Sequence, residues 1–201
     1  MKQSIFDTQI QIVDLPSKIV AGLERISEAF RVLLWEDAKV VGLSPTQIQI
    51  LIFLAFHPEN FRNVSSLARE FNMTKATISD AIKTMVNKKL IEKIPSPTDK
   101  RAYSISITPQ GSELVVRTMG FAEPLRHAVS GLDPDQQEDL HRAIIDLIYK
   151  LNKANILTVQ RTCFNCRFYE WTPESHYCHY LRTDLSDKDL RVDCREFQGK
   201  S

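Results

Sequence analysis

The most constraining stretch of this 201-residue chain runs from Val64 to Ile107. Val64, Leu67, Ala68 and Phe71 recur at helical spacing, which predicts a short helix of about two turns. Asn72-Met73-Thr74 interrupts it. A second helix is expected to restart at once over Thr74 to Leu90, with Thr74 as its cap and Ile78, Ala81, Ile82 and Met85 as a narrow apolar stripe. The period then falls to two: IEKI, the turn-forming SPTDKR, and Tyr103, Ile105 and Ile107 alternating with Ser104 and Ser106. Two short helices joined by a tight turn and followed by a hairpin with a basic tip describe a winged helix-turn-helix. In that layout the second helix enters a DNA major groove and the wing reaches an adjacent groove.

Longer helices are predicted on either side. Ile19, Leu23, Ile26, Phe30, Leu33 and Leu34 recur at steps of three and four between Leu15 and Val41. Ser44-Pro45-Thr46-Gln47 forms a capping box for a helix through Ile48, Leu51, Ile52 and Ala55 that stops near His57-Pro58. Thr108-Pro109 caps another helix. Asp133-Pro134-Asp135-Gln136 opens the last long one, carried by Leu140, Ile144, Leu147, Ile148 and Leu151. With six Gly in the chain and few turn clusters, the expected fold class is mainly α. The apolar faces of residues 15–41 and 133–152 exceed what the small winged unit can cover, so a homodimer is expected. The predicted division is residues 1–156, with a DNA-binding core at about 44–108 between dimerisation helices, and a Cys-rich tail at 157–201. The longest apolar run, Ile50 to Phe56, falls far short of the ~20 residues that span a bilayer. The amino terminus lacks the pattern of a secretory signal, so cytoplasmic residence and no membrane partner are expected.

The charge balance, 26 Lys+Arg against 25 Asp+Glu, excludes a uniformly basic surface. Positive charge is instead local: residues 61–103 hold nine Lys/Arg and four Asp/Glu. A basic patch on a near-neutral protein suits counterion release from DNA at one face. Segment 30–150 resembles the MarR family of bacterial regulators through LSPTQIQILIFLAF, VSSLAREFNMTKATISDAIKTMVNKKLIEK and the wing TDKRAYSISITPQG. The resemblance implies base and phosphate contacts from Thr74, Lys75, Thr77, Ser79, Asp80 and Lys83 on the recognition helix. At the wing, Lys100 joins the basic tip, and Asp99 is implied to orient Arg101 into the minor groove. It further implies a homodimer built from the first helix and the last two, a pseudopalindromic double-stranded DNA operator, repression of transcription, and a small phenolic or lipophilic effector bound between the domains.

The tail follows different rules. Cys163 and Cys166 form a C-x2-C, followed by single cysteines at Cys178 and Cys194, in about forty aromatic-rich residues with little helical periodicity. A unit that small needs a staple, and four thiolates suit a metal centre. Structural Zn²⁺ is the first expectation and an iron–sulfur cluster the alternative, with thiol redox sensing or mere burial behind them. His176 and His179 flank Cys178 but are surplus once four cysteines complete a site. Arg161, Arg167, Arg182, Arg191 and Arg195 lie close enough in sequence to offset the negative charge of such a centre. Whether the effector is a small molecule or the state of the tail is left open by the sequence.

Two rivals remain, a cysteine-based redox enzyme and a zinc-stapled interaction module without operator binding. Against an enzyme, the chain has no Gly-rich phosphate loop, nucleophile elbow or His-Glu-x-x-His, and its C-x2-C does not follow a strand in a βαβ pattern. No catalytic residue is therefore assigned.

Overall fold

The computed structural model describes residues 4–95, 103–159, 161–172 and 175–200. The wing-tip residues Asp99, Lys100 and Arg101 lie outside the described residues. A short helix that the sequence reading missed, α1 (Thr8–Val13), leads into α2 (Leu15–Val41). The Asp14 side chain caps α2 by accepting from the Ser17 N–H, and Gly42, at φ 65°, closes it in the left-handed conformation. The capping box Ser44/Gln47 starts α3 (Pro45–Phe56) as expected. That helix is the centre of the fold, with Ile48, Ile50, Leu51 and Leu54 fully buried on different sides. Fully burying one such side chain stabilises by about 1.5–3 kcal/mol.

Asn63 caps α4 (Val64–Glu70), and Thr74 caps α5 (Lys75–Asn87). Between them Asn72, at φ 50°, makes the sharp turn, a conformation in which Asn is tolerated better than most residues. Ile78, Ile82 and Met85 carry α5 into the same core as Leu67 of α4. The antiparallel strands β1 (Ile91–Pro95) and β2 (Tyr103–Ile107) pair with Ile91 opposite Ile107 and Pro95 opposite Tyr103. Ile105 also donates its N–H to the Arg62 carbonyl at 2.8 Å, tying the wing to the loop before α4.

Thr108 caps α6 (Pro109–Thr118), accepting from the Gly111 N–H and donating its hydroxyl to the Lys89 carbonyl. Gly111 is required here by space: a Cβ would sit 2.1 Å from the Leu90 carbonyl oxygen. The sequence reading placed one helix after Thr108. The chain instead breaks around Gly120 and restarts as α7 (Glu123–Ser130) before the capping box Asp133/Gln136 opens α8 (Pro134–Lys153). No helix among the described residues is long and apolar enough to cross a membrane.

The tail contains an antiparallel sheet of β3 (Tyr169–Trp171), β4 (His176–Cys178) and β5 (Thr183–Leu185), with β4 in the middle. Strands of three residues are too short to show a period of two, which is why the sequence pattern did not reveal them. A second, smaller core joins the tail to α8: Ile145 is fully buried against Cys163 and Leu190, with Phe164, Tyr169 and Leu185 around them. The opposite side of α8 leaves Leu140, Ile144, Leu147 and Leu151 exposed. On α2, Ile19, Leu23, Ile26 and Phe30 are exposed in the same way.

Candidate nucleic-acid interface and the four-cysteine pocket

Helix α5 separates two jobs by face. Its buried stripe fixes it to the core, while Thr74, Lys75, Thr77, Ser79, Asp80 and Lys83 are all exposed. Thr74 and Thr77 are partly engaged already. The Thr74 hydroxyl accepts from the Thr77 N–H at 3.1 Å and lies 2.9 Å from the Thr77 hydroxyl, so both help begin the helix. The basic residues counted in the sequence also divide. Lys88 donates to the Gly42 carbonyl at 2.6 Å and Arg62 to the His57 carbonyl at 2.9 Å, so these two brace the fold. Lys93 sits 4.4 Å from the centre of the Tyr103 ring across the wing. Lys75 and Lys83 stand exposed on the open face of α5.

All four cysteines line one half-open cavity of about 380 Å³. Cys163 begins a 3-10 turn (Cys163–Asn165) and Cys166 ends it, Cys178 comes from the central strand β4, and Cys194 follows Asp193. All four are free thiols. Among the described residues, no three His, Cys, Asp or Glu side chains form a group that could hold a single metal ion. Burial pushes the Cys163 thiol up, as do the neighbouring Cys194, Cys178 and Cys166, against the Arg191 N–H that donates to its Sγ at 3.3 Å. Burial also raises Cys194. Of the five arginines noted in the sequence, Arg191 lines the cavity and directs its guanidinium at Cys194 and Glu196. His176 is engaged by Tyr169 and Asp187, and His179 by Glu170.

Sequence reasoning missed the junction between the tail and the winged unit. Arg161, 8% exposed, forms a two-pronged pair with Glu70 of α4 at 2.8 and 2.9 Å. Its Nε donates to Asp193 at 2.5 Å, and Asp193 also meets His57 Nε2 at 2.9 Å. The guanidinium lies over the Phe53 and Phe61 rings, and His57 stacks on Phe53 at 3.7 Å. Burial works against ionising Asp193, but its bonds to Arg161 and His57 prevail and hold the carboxyl below its ordinary range. Burial opposes the charge on Arg161 too, and Asp193 and Glu70 more than offset it. Burial lifts the Tyr169 phenol to about 12.

A capped recognition helix after a tight turn, backed by a two-stranded wing, defines the class as a winged helix-turn-helix protein. Residues 41–102 match the MarR family. Among solved structures the chain is similar to Staphylococcus aureus MepR in complex with DNA (22% identity, 66% of this chain and 97% of that one, TM-score 0.59). It is similar also to transcriptional regulator PA3341 (21%, 67% and 98%, 0.58) and to S. aureus MarR in complex with salicylate and kanamycin (20%, 72% and 97%, 0.60). No curated protein matches the chain. The family match thus covers the winged helix-turn-helix segment, and the solved neighbours, all under 25% identical, share its fold. These neighbours cover about two thirds of the chain and nearly all of themselves, leaving about a third without a counterpart in them.

Proposed function

We propose that the chain is a MarR-type transcriptional repressor that binds a pseudopalindromic operator as a homodimer. The observation that carries this reading is the open polar face of α5, where Lys75, Ser79, Asp80 and Lys83 stand clear of the core beside the wing. Lys75 and Lys83 contact phosphates, and Ser79 and Asp80 present hydrogen-bonding groups to base edges. Asp99, Lys100 and Arg101 extend the contact from the wing tip, as the family resemblance implies. Unpartnered apolar stripes on α2 and α8 support the homodimer, because a second copy covers both and sets two recognition helices one DNA turn apart. A dimer on a promoter blocks transcription by occupancy.

The test is operator affinity measured over a range of salt. Lys75→Ala and Lys83→Ala should each lower affinity and reduce the slope of log K against log salt by about 0.9. Wild-type affinity and slope in both variants would remove α5 from the interface. A small-molecule effector is a second element of the reading, supported by the similar S. aureus MarR, which was solved with salicylate.

A further inference from the structure

We propose that the four-cysteine cavity of the tail holds an iron–sulfur cluster, and that its occupancy is transmitted to α4 through the Arg161–Asp193 pair. The first half rests on the four thiols lining one open cavity. A single Zn²⁺ bound at about 2.3 Å to four sulfurs draws them to within about 4 Å of one another and leaves no space between them. Here the four cysteines stand around a cavity of about 380 Å³, and no three described side chains converge on a point that could hold one ion. A cluster carries its irons outward to thiolates that stand apart, so the donor set and the open centre fit it together. Of the remaining lining, Phe168, Leu181 and Leu185 are apolar, Arg191 supplies a cation and an N–H, and Asp184, Asp189 and Glu196 add carboxylates at the rim. Four thiols lose their protons as they bind iron, and a four-thiolate [4Fe–4S]²⁺ centre carries a formal charge of −2, which Arg191 partly offsets.

The second half rests on where the ion pair is anchored. Arg161 precedes Cys163 by two residues, and Asp193 is joined directly to Cys194. The Cys194 N–H donates to the Arg161 carbonyl at 3.1 Å, so the backbone that positions two thiols also positions both halves of the pair. From there Arg161 grips Glu70, the last residue of α4, the helix that leads into the turn before the recognition helix. Fixing Cys163 and Cys194 on one cluster fixes that grip. This coupling builds on the DNA-binding reading only in its biological consequence.

The experiment uses the full-length protein, purified without oxygen or reconstituted anaerobically with equal amounts of ferric and ferrous iron and with sulfide. The expected result is a visible absorption band, with iron and acid-labile sulfide in equal amounts at about two or four of each per chain. Cys178→Ser should lose both. One zinc per chain with no iron or sulfide, or colourless protein with all four thiols free after reconstitution, overturns the cluster. The coupling is read without DNA, by hydrogen exchange of residues 64–70 in loaded and cluster-free protein. Exchange should quicken at least several-fold on cluster loss in the wild type, with no such difference in Arg161→Met. Equal exchange in loaded and cluster-free wild type overturns the coupling and leaves the tail a scaffold. Absence of DNA binding in both states, with these results intact, would count against the regulator reading alone.

Discussion

At the scale of single residues, Gly111 shows how a local motif can be legible while its reason is not. The Thr-x-x-Gly after the wing is visible in the sequence, but the 2.1 Å approach of a would-be Cβ to the Leu90 carbonyl is not. Gly111→Ala should therefore destabilise by about 1–3 kcal/mol through overpacking, read as a lower urea midpoint with unchanged m-value. Arg161 is the opposite case, a residue with no sequence signal beyond its charge. Its partners Glu70 and Asp193 lie 91 and 32 positions away, beyond any periodicity. Arg161→Met should cost about 1–3 kcal/mol, because Glu70 and Asp193 lose their bonds, while the partial exposure of Asp193 limits the loss. Asp193 has a folded pKa below its unfolded value of 3.8. Its contribution is thus complete above that value and disappears as pH falls through the lower folded one. Protease resistance of the tail in cluster-free protein should hold from about pH 8 to about pH 5 and fail only below about pH 4, and Asp193→Asn should abolish that transition. A transition near neutral pH would assign the junction's titration to another group.

At the scale of elements, capping and periodicity carried most of the prediction, and burial decided the rest. Ser44, Thr74, Thr108 and Asp133 each cap the helix assigned to them, since a cap is a local contact between residues three apart. The failures are short or broken elements: α1, the interruption between α6 and α7, and the three-residue strands of the tail. Helix α8 has a subtler lesson. Its stripe Leu140, Ile144, Leu147, Ile148 and Leu151 was evident, but apart from the half-buried Ile148 it is bare, and the face that holds the tail is built from Ile145 and Tyr149, which fall outside it. Two substitutions separate these faces. Leu147→Glu should yield monomers in sedimentation while the tail stays folded. Ile145→Ala should destabilise by about 2–5 kcal/mol and expose the tail to protease while the dimer persists. If Leu147→Glu remains dimeric, the α8 stripe is not the interface.

At the scale of the whole molecule, a familiar winged unit is joined to a tail by a buried pair and a small apolar core. Near-zero net charge with a basic patch at residues 61–103 pointed to a DNA face without any tertiary contact. The division of that patch into bracing residues, such as Lys88 and Arg62, and open ones, such as Lys75 and Lys83, required the fold. The convergence of four cysteines on one cavity was foreseeable from their count, and its dimensions were not. The central claim is that two copies of this chain read a specific duplex. Selection from a randomised pool of double-stranded DNA by the wild-type protein, followed by sedimentation on the enriched sequence, tests it most directly. The account predicts an inverted repeat with half-sites one helical turn, about 10 bp, apart, bound by two chains. Enrichment of no sequence over the starting pool, or of a lone half-site bound by one chain, would contradict it.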